Sequence, residues 1–190
     1  MSRGDRTLLV DASSFITLAE IRACDLLYRA PGRIAVPTAV RGEITDDPAE
    51  SELERAFETD DVVVVEHTAD DGLHPETYER ANEHLDLSVP TAGGEPAWPG
   101  DVALLGEAFR TSDVVVVTDD KPLRKTCRAL SIPISGSIGI LVRAVGRDDV
   151  EVDAAKDKLA AMDEVSARLS VRLLRRAERL IDEARGGSDG

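Results

Sequence analysis

An α/β fold with a central parallel sheet is predicted by three observations. Short apolar runs rich in β-branched residues recur at Thr7-Leu8-Leu9-Val10, Ile34-Ala35-Val36, Val62-Val63-Val64-Val65 and Val114-Val115-Val116-Val117. Near-continuous runs of this kind are what strands buried on both faces require. Stretches with helical periodicity alternate with them, the pattern of βα units. Carboxylates stand at or beyond the ends of the runs: Asp11 after the first, Glu43 beyond the second, Asp119 and Asp120 after the fourth.

Residues 7–10 form the first strand, and residues 13–30 hold one or two helices that end before Pro31-Gly32. Residues 33–36 are the second strand. Pro37 suits the first turn of a helix, expected to run to about Thr45, and Pro48 opens another that runs to about Thr59. Residues 62–65 are the third strand. From His67 to Pro99 the pattern weakens to a short helix over 76–85 and a Pro- and Gly-rich loop over 90–99. Residues 101–111 read as a helix, 114–117 as the fourth strand, 121–130 as a helix and Ile132-Pro133-Ile134 as a short edge strand. A helix starts at Gly136 and reaches Ala144.

Beyond Arg147 the chain reads as all helical. Val165, Leu169, Leu173, Ala177, Leu180 and Ala184 recur every three or four residues and make one apolar face. Arg168, Arg172, Arg175, Arg176 and Arg179 lie beside or opposite it. An isolated helix of this length is marginal in water, so the face is expected to pack on the chain's own layer or on a second copy, with a homodimer favoured. The domain expectation is a body over 1–147 with a variable insertion at 67–99, a helical extension over 148–185, and a disordered tail over 186–190.

At 190 residues the chain has the length of one domain with an addition. It is 42% hydrophobic but only 3% aromatic, so its core must be aliphatic. No run approaches the ~20 apolar residues of a membrane span, and the first apolar run is too short for a signal peptide; a cytoplasmic protein is expected. Cys24 and Cys127 read as buried free thiols. His67, His74 and His84 lack metal-ligand spacing and read as surface residues. With 23 basic against 37 acidic residues the net charge is −14. The acids are dispersed, as on the hydrated surface of a protein from a high-salt cytoplasm such as a halophilic archaeon's; a surface for a basic partner protein is the alternative. That balance argues against a conventional basic nucleic-acid binder, but near 1 M salt the screening length falls to ~3 Å and distant repulsion matters little.

Ligands of open α/β sheets bind beyond the carboxyl ends of the strands. Asp11, Glu43, Asp120 and Asp101, which opens a helical segment at Pro99-Gly100-Asp101, are therefore placed to converge. Gathered carboxylates repel unless a cation sits among them, and Mg²⁺ or Mn²⁺ are the cations that favour oxygen ligands. Each aspartate alone also suits a turn or helix N-cap. Glu95 and Glu107 read as solvated. Arg22, Arg29, Arg41, Arg124, Lys125 and Arg128 are candidates for a phosphate path.

These residues resemble the motifs of the PIN domain, a family of metal-dependent nucleases. Val10-Asp11-Ala12-Ser13-Ser14-Phe15-Ile16 is similar to its opening strand and turn, and Val36-Pro37-Thr38-Ala39-Val40-Arg41-Gly42-Glu43-Ile44 to its second acidic motif. Gly100-Asp101 through Ala108 resembles the third, Val117-Thr118-Asp119-Asp120 the Thr-x-Asp motif, and Ile132 to Leu141 the closing strand and turn. The resemblance implies a three-layer α/β/α domain and a divalent-metal-dependent endoribonuclease acting on RNA. Asp11, Glu43, Asp101 and Asp120 would be its catalytic metal ligands. Asp119 would support the same site or point away, and Ser13 and Thr118 would fix a metal-bound water. A VapC-type toxin with an antitoxin partner is one role it implies, and a housekeeping RNA-processing enzyme another. A non-catalytic module that binds RNA or protein is the alternative from a different class. A haloacid dehalogenase phosphatase is disfavoured because position 13 is Ser, and a receiver domain because residues 132–137 contain no Lys.

Overall fold

The computed structural model describes residues 6–65, 75–92, 95–165 and 169–186. Five parallel strands form the central sheet: β1 (Thr7–Val10), β2 (Arg33–Pro37), β3 (Val63–Val65), β6 (Val114–Val117) and β7 (Ile134–Ser135). Their order is β3-β2-β1-β6-β7. Leu8 pairs with Ile34 on one side and Val115 on the other, so β1 is central. The chain order reverses across β1, with β2 on one side and β6 on the other. That reversal opens a crevice at the carboxyl ends of these two strands. Val10, Val36, Val116 and Val117 are fully buried, as continuous apolar strands between two helical layers must be.

The helices are α1 (Ala12–Glu20), α2 (Cys24–Tyr28), α3 (Thr38–Arg41), α4 (Ala49–Glu58), α5 (Pro75–Leu85), α6 (Gly100–Arg110), α7 (Lys121–Ala129), α8 (Ser137–Gly146), α9 (Val152–Val165) and α10 (Val171–Gly186). A two-residue antiparallel pair, β4 (Thr91–Ala92) with β5 (Glu95–Pro96), stands where a plain loop was expected. Both sides of the sheet are covered by helices, which gives the three-layer α/β/α arrangement. The core is aliphatic, as the low aromatic content requires, with Phe15 and Tyr78 its large buried rings.

Several element boundaries move. The helix expected from Pro37 to about Thr45 is only α3, four residues long, and turns follow it. The edge strand is Ile134–Ser135 rather than 132–134. The C-terminal apolar stripe is divided between two helices, with Val165 closing α9 and α10 starting at Val171. Ala177 and Ile181 of α10 are buried, and α10 packs chiefly on α8 and α9. The stripe is thus covered in part by the chain itself. Leu173 and Leu180 stay exposed at its edge.

Glu107 corrects one expectation. It is 7% exposed, not solvated, and accepts a hydrogen bond from the Tyr78 hydroxyl at 2.9 Å and one from Arg110 at 3.5 Å. Cys24 and Cys127 are buried free thiols, and burial pushes them up to about 12 and about 11. His84 stands edge-on to Phe109. His67, His74, Arg168, the Glu95 side chain and residues 187–190 lie outside the described residues, while Gly186 closes α10. Among the described residues no helix is long and apolar enough to cross a membrane.

Candidate active site

Asp11 follows β1 directly and is 4% exposed. Its N–H donates to the Val117 carbonyl at 2.9 Å, which locks the end of β1 to the end of β6. The Thr118 hydroxyl donates to Asp11 Oδ2 at 2.7 Å, and the Ser13 hydroxyl donates to the same oxygen. Each hydroxyl also accepts: Thr118 Oγ1 from the Asp120 N–H at 3.0 Å, and Ser13 Oγ from the Asp119 N–H at 3.3 Å. Ser13 and Thr118 therefore join the β1 turn to the β6 turn and orient the Asp11 carboxylate. Both were expected to stand behind the ligands, and the structure places both on Asp11.

Glu43 lies just past the end of α3. The Gly100 N–H, at the start of α6, donates to Glu43 Oε1 at 2.9 Å. A Cβ at position 100 would lie 2.5 Å from that oxygen, so glycine is what leaves the Glu43 carboxylate room in this position. Asp101, the second residue of α6, sits in the first turn, where the helix dipole favours a carboxylate. Asp120 caps α7 and accepts from the Leu123 N–H at 2.7 Å through Oδ1. The N-cap role foreseen for an isolated aspartate is real here, and it fixes the Asp120 carboxylate at the crevice.

These four carboxylates lie within electrostatic reach of one another. Burial raises Asp101 most, and the charges of Asp11, Asp120 and Glu43 raise it further, to about 7. Burial also raises Asp11, against the two hydroxyls that lower it, with Asp120 adding to the rise. Glu43 is raised by burial and by Asp11, against the lowering bond from Gly100. Asp11, Glu43 and Asp101 are thus all raised, chiefly by burial and in smaller part by neighbouring carboxylates. A divalent cation is the countercharge that fits an all-oxygen donor set of this kind. Among the described residues no three His, Cys, Asp or Glu side chains are gathered tightly enough to hold one ion between them. The carboxylates face each other without closing on a point.

The Asp119 carboxylate is engaged by α1 and by the start of α8. It accepts from the Ser14 hydroxyl at 3.1 Å, from the Ser137 N–H at 3.1 Å and from the Ser137 hydroxyl. It holds the start of α8 against α1. A Cβ at Gly136 would lie 2.4 Å from Asp119 Oδ1, which explains the glycine before that helix.

A groove of about 1180 Å³ has Ser13, Asp119 and Asp120 in its lining, and Asp120 is the member of the quartet that it shares. Of the six basic residues suggested for a phosphate path, Arg124 and Arg128 line it. Arg29 pairs with Asp25, Arg41 lies over the Phe57 ring, and Arg22 and Lys125 are not part of its wall. Lys121 and Arg143 do line it and were missed. For Lys121 the signal was present, since Lys121, Arg124 and Arg128 share a helix face.

A family model described as a PIN domain (DUF3368) matches residues 7–183. The chain belongs to the PIN-domain family. The match runs from β1 through almost all of α10, so it takes in the carboxylate crevice, the groove and the C-terminal helices together. No curated protein matches the chain. A PIN domain has a nuclease-type fold, and the sheet order, the central β1 and the acidic crevice at its carboxyl end are this chain's version of it.

Proposed function

We propose that this PIN domain is a divalent-metal-dependent endoribonuclease in which Asp11, Glu43, Asp101 and Asp120 hold Mg²⁺ or Mn²⁺, directly or through bound water. The observation that supports it best is the crevice itself: four carboxylates from four segments, three of them with raised proton affinity. When bound, the cation supplies an activated water and neutralises charge on the phosphoryl oxygens. The protein's own part is positional. Ser13 and Thr118 aim the Asp11 carboxylate, Gly100 pins Glu43, the first turn of α6 presents Asp101, and the α7 cap presents Asp120. Arg124, whose Nη1 donates to the Thr118 and Ser135 carbonyls at 2.6 Å each, braces the β6 turn that carries Asp120.

The test is cleavage by the purified chain in molar KCl, chosen to suit its −14 charge. With Mn²⁺ or Mg²⁺ it should cut single-stranded or structured RNA internally, and EDTA should abolish the cutting. Undiminished cutting in EDTA would refute the metal-dependent mechanism, and RNA binding without any cleavage would point to a non-catalytic module. In the same reading the protein is a toxin with an antitoxin partner, or an RNA-processing enzyme, and self-associates as a dimer. Val171, 66% exposed on α10, supports a second copy on that side.

A further inference from the structure

The groove that shares Asp120 with the carboxylate crevice has two unlike walls. Lys121, Arg124 and Arg128 fall on one face of α7, spaced over about 10 Å of helix, and Arg143 and Arg176 add charge from α8 and α10. Aliphatic side chains come from the C-terminal helices and the segment between them: Val165, Leu169, Leu173 and Leu180. Five cations thus face three carboxylates, Glu20, Asp119 and Asp120, on a chain whose net charge is −14. Among the described residues Lys121, Arg128 and Arg176 make no side-chain hydrogen bond or ion pair. Arg124 and Arg143 are each anchored through Nη1 to the β7 region. The groove therefore concentrates positive charge where the rest of the molecule is acidic, and it meets the crevice at Asp120.

We propose that this groove carries the single-stranded RNA that runs on from the cleavage site. Its phosphates would follow Lys121, Arg124 and Arg128, and its sugars would lie against the aliphatic wall of α9 and α10. The inference rests on the nuclease reading above and adds the path and its direction, away from Asp120 along α7. Charge complementarity selects an anionic occupant, and continuity with the crevice selects the substrate over a separate ligand. Among the described residues the lining has no aromatic ring on which bases could stack, so the strand is held by its backbone and its sequence is not read here.

The experiment uses the full chain and a fluorescent single-stranded RNA of about 20 nucleotides, a length that outreaches the crevice. Anisotropy in EDTA, where no cutting occurs, gives affinity across a KCl series. Arg128→Glu and Arg176→Glu should each weaken binding at least ~10-fold, and each should lower the salt slope by roughly 0.7 or more. Lys125→Glu makes the same charge change on α7 outside the groove and should leave affinity within about twofold, a control for general electrostatics. With Mn²⁺ present, Arg128→Glu should raise KM for the long RNA several-fold more than for an oligonucleotide of about three nucleotides, which reaches less of the groove. Unchanged binding in both reversals, with wild-type cleavage intact, overturns the groove and leaves the nuclease reading standing. Charge-dependent binding in the groove without any cleavage fails the nuclease reading and keeps the RNA path. Polyglutamate competing as well as RNA would give the groove to an acidic polypeptide and overturn the assignment.

Discussion

At Asp11 two demands meet. The residue is 4% exposed and burial favours its neutral form, yet two hydroxyls donate to one of its oxygens and favour the charged form. Asp11→Asn keeps the shape and removes one charge from the quartet. Activity should fall at least ~100-fold, about 2.7 kcal/mol of barrier, while the metal-free melting temperature stays level or rises. A variant with normal cleavage would make Asp11 a turn residue only. Asp101 gives a pH signature. Burial first, then Asp11, Asp120 and Glu43, lift it from 3.8 to about 7. The folded chain therefore keeps a proton that the unfolded chain releases, and stability gained from it is complete below 3.8 and lost as pH rises through about 7. Without metal, the melting temperature should fall between about pH 5 and about pH 8. Asp101→Asn should flatten that fall, and Mg²⁺ or Mn²⁺ should reverse it at the alkaline end. A wild-type curve that is flat over this range, or that rises, contradicts the assignment. The positions of Asp11, Asp101 and Asp120 were legible because each follows a buried strand or opens a helix, both local signals. Glu107 was not, because its burial depends on Tyr78, which comes from a different helix.

Between elements, the junction that decides the site is the meeting of the α3 end with the α6 start. Here Gly100 leaves room for the Glu43 carboxylate and donates to it. Gly100→Ala would place a methyl 2.5 Å from Glu43 Oε1, and the flexible end of that side chain would move rather than the backbone. We expect a loss of activity of at least ~10-fold, about 1.4 kcal/mol of barrier, with a melting temperature close to wild type. A fully active variant would show that the place of Glu43 is not set by Gly100. The strands were legible because four runs of branched aliphatics have few other uses. Their neighbours in the sheet were not legible, since pairing of β1 with β6 joins residues 107 apart in sequence (Leu8 with Val115, Leu9 with Val116). The hairpin of β4 and β5 was missed because Pro90, Gly93, Gly94 and Pro96 carry loop signals and its ladder is only two residues long. Glu43 was placed on a helix by Pro37, and the structure puts it just past one that stops at Arg41.

For the whole molecule, the question is whether α9 and α10 are an appendage or part of the folding unit. The periodicity past Arg147 showed that an apolar face existed but not what would cover it, because a helix face carries no record of its partner. The structure supplies that cover. Ala155, Leu159 and Met162 of α9 and Ala177 and Ile181 of α10 are buried, and α10 packs on α8, whose Leu141 and Ala144 are fully enclosed. The Lys158 ammonium donates to the Ile21 and Arg22 carbonyls at 3.3 and 2.6 Å, and Lys156 pairs with Asp182 at 2.6 Å. The surface pair is worth little, so burial dominates. Leu159, Met162 and Ile181 alone contribute roughly 1.5–3 kcal/mol each, a sum comparable with the ~5–15 kcal/mol that holds a domain together. A chain ending at Arg147 should therefore lose its cooperative melt, or melt more than ~10 °C below the full chain, and should expose apolar surface to a hydrophobic dye. Light scattering on the full chain in molar KCl reads the proposed dimer separately from this loss. A truncated chain that melts cooperatively at the full-length temperature would show that α8 needs no cover, and that the two last helices fold onto a body already complete.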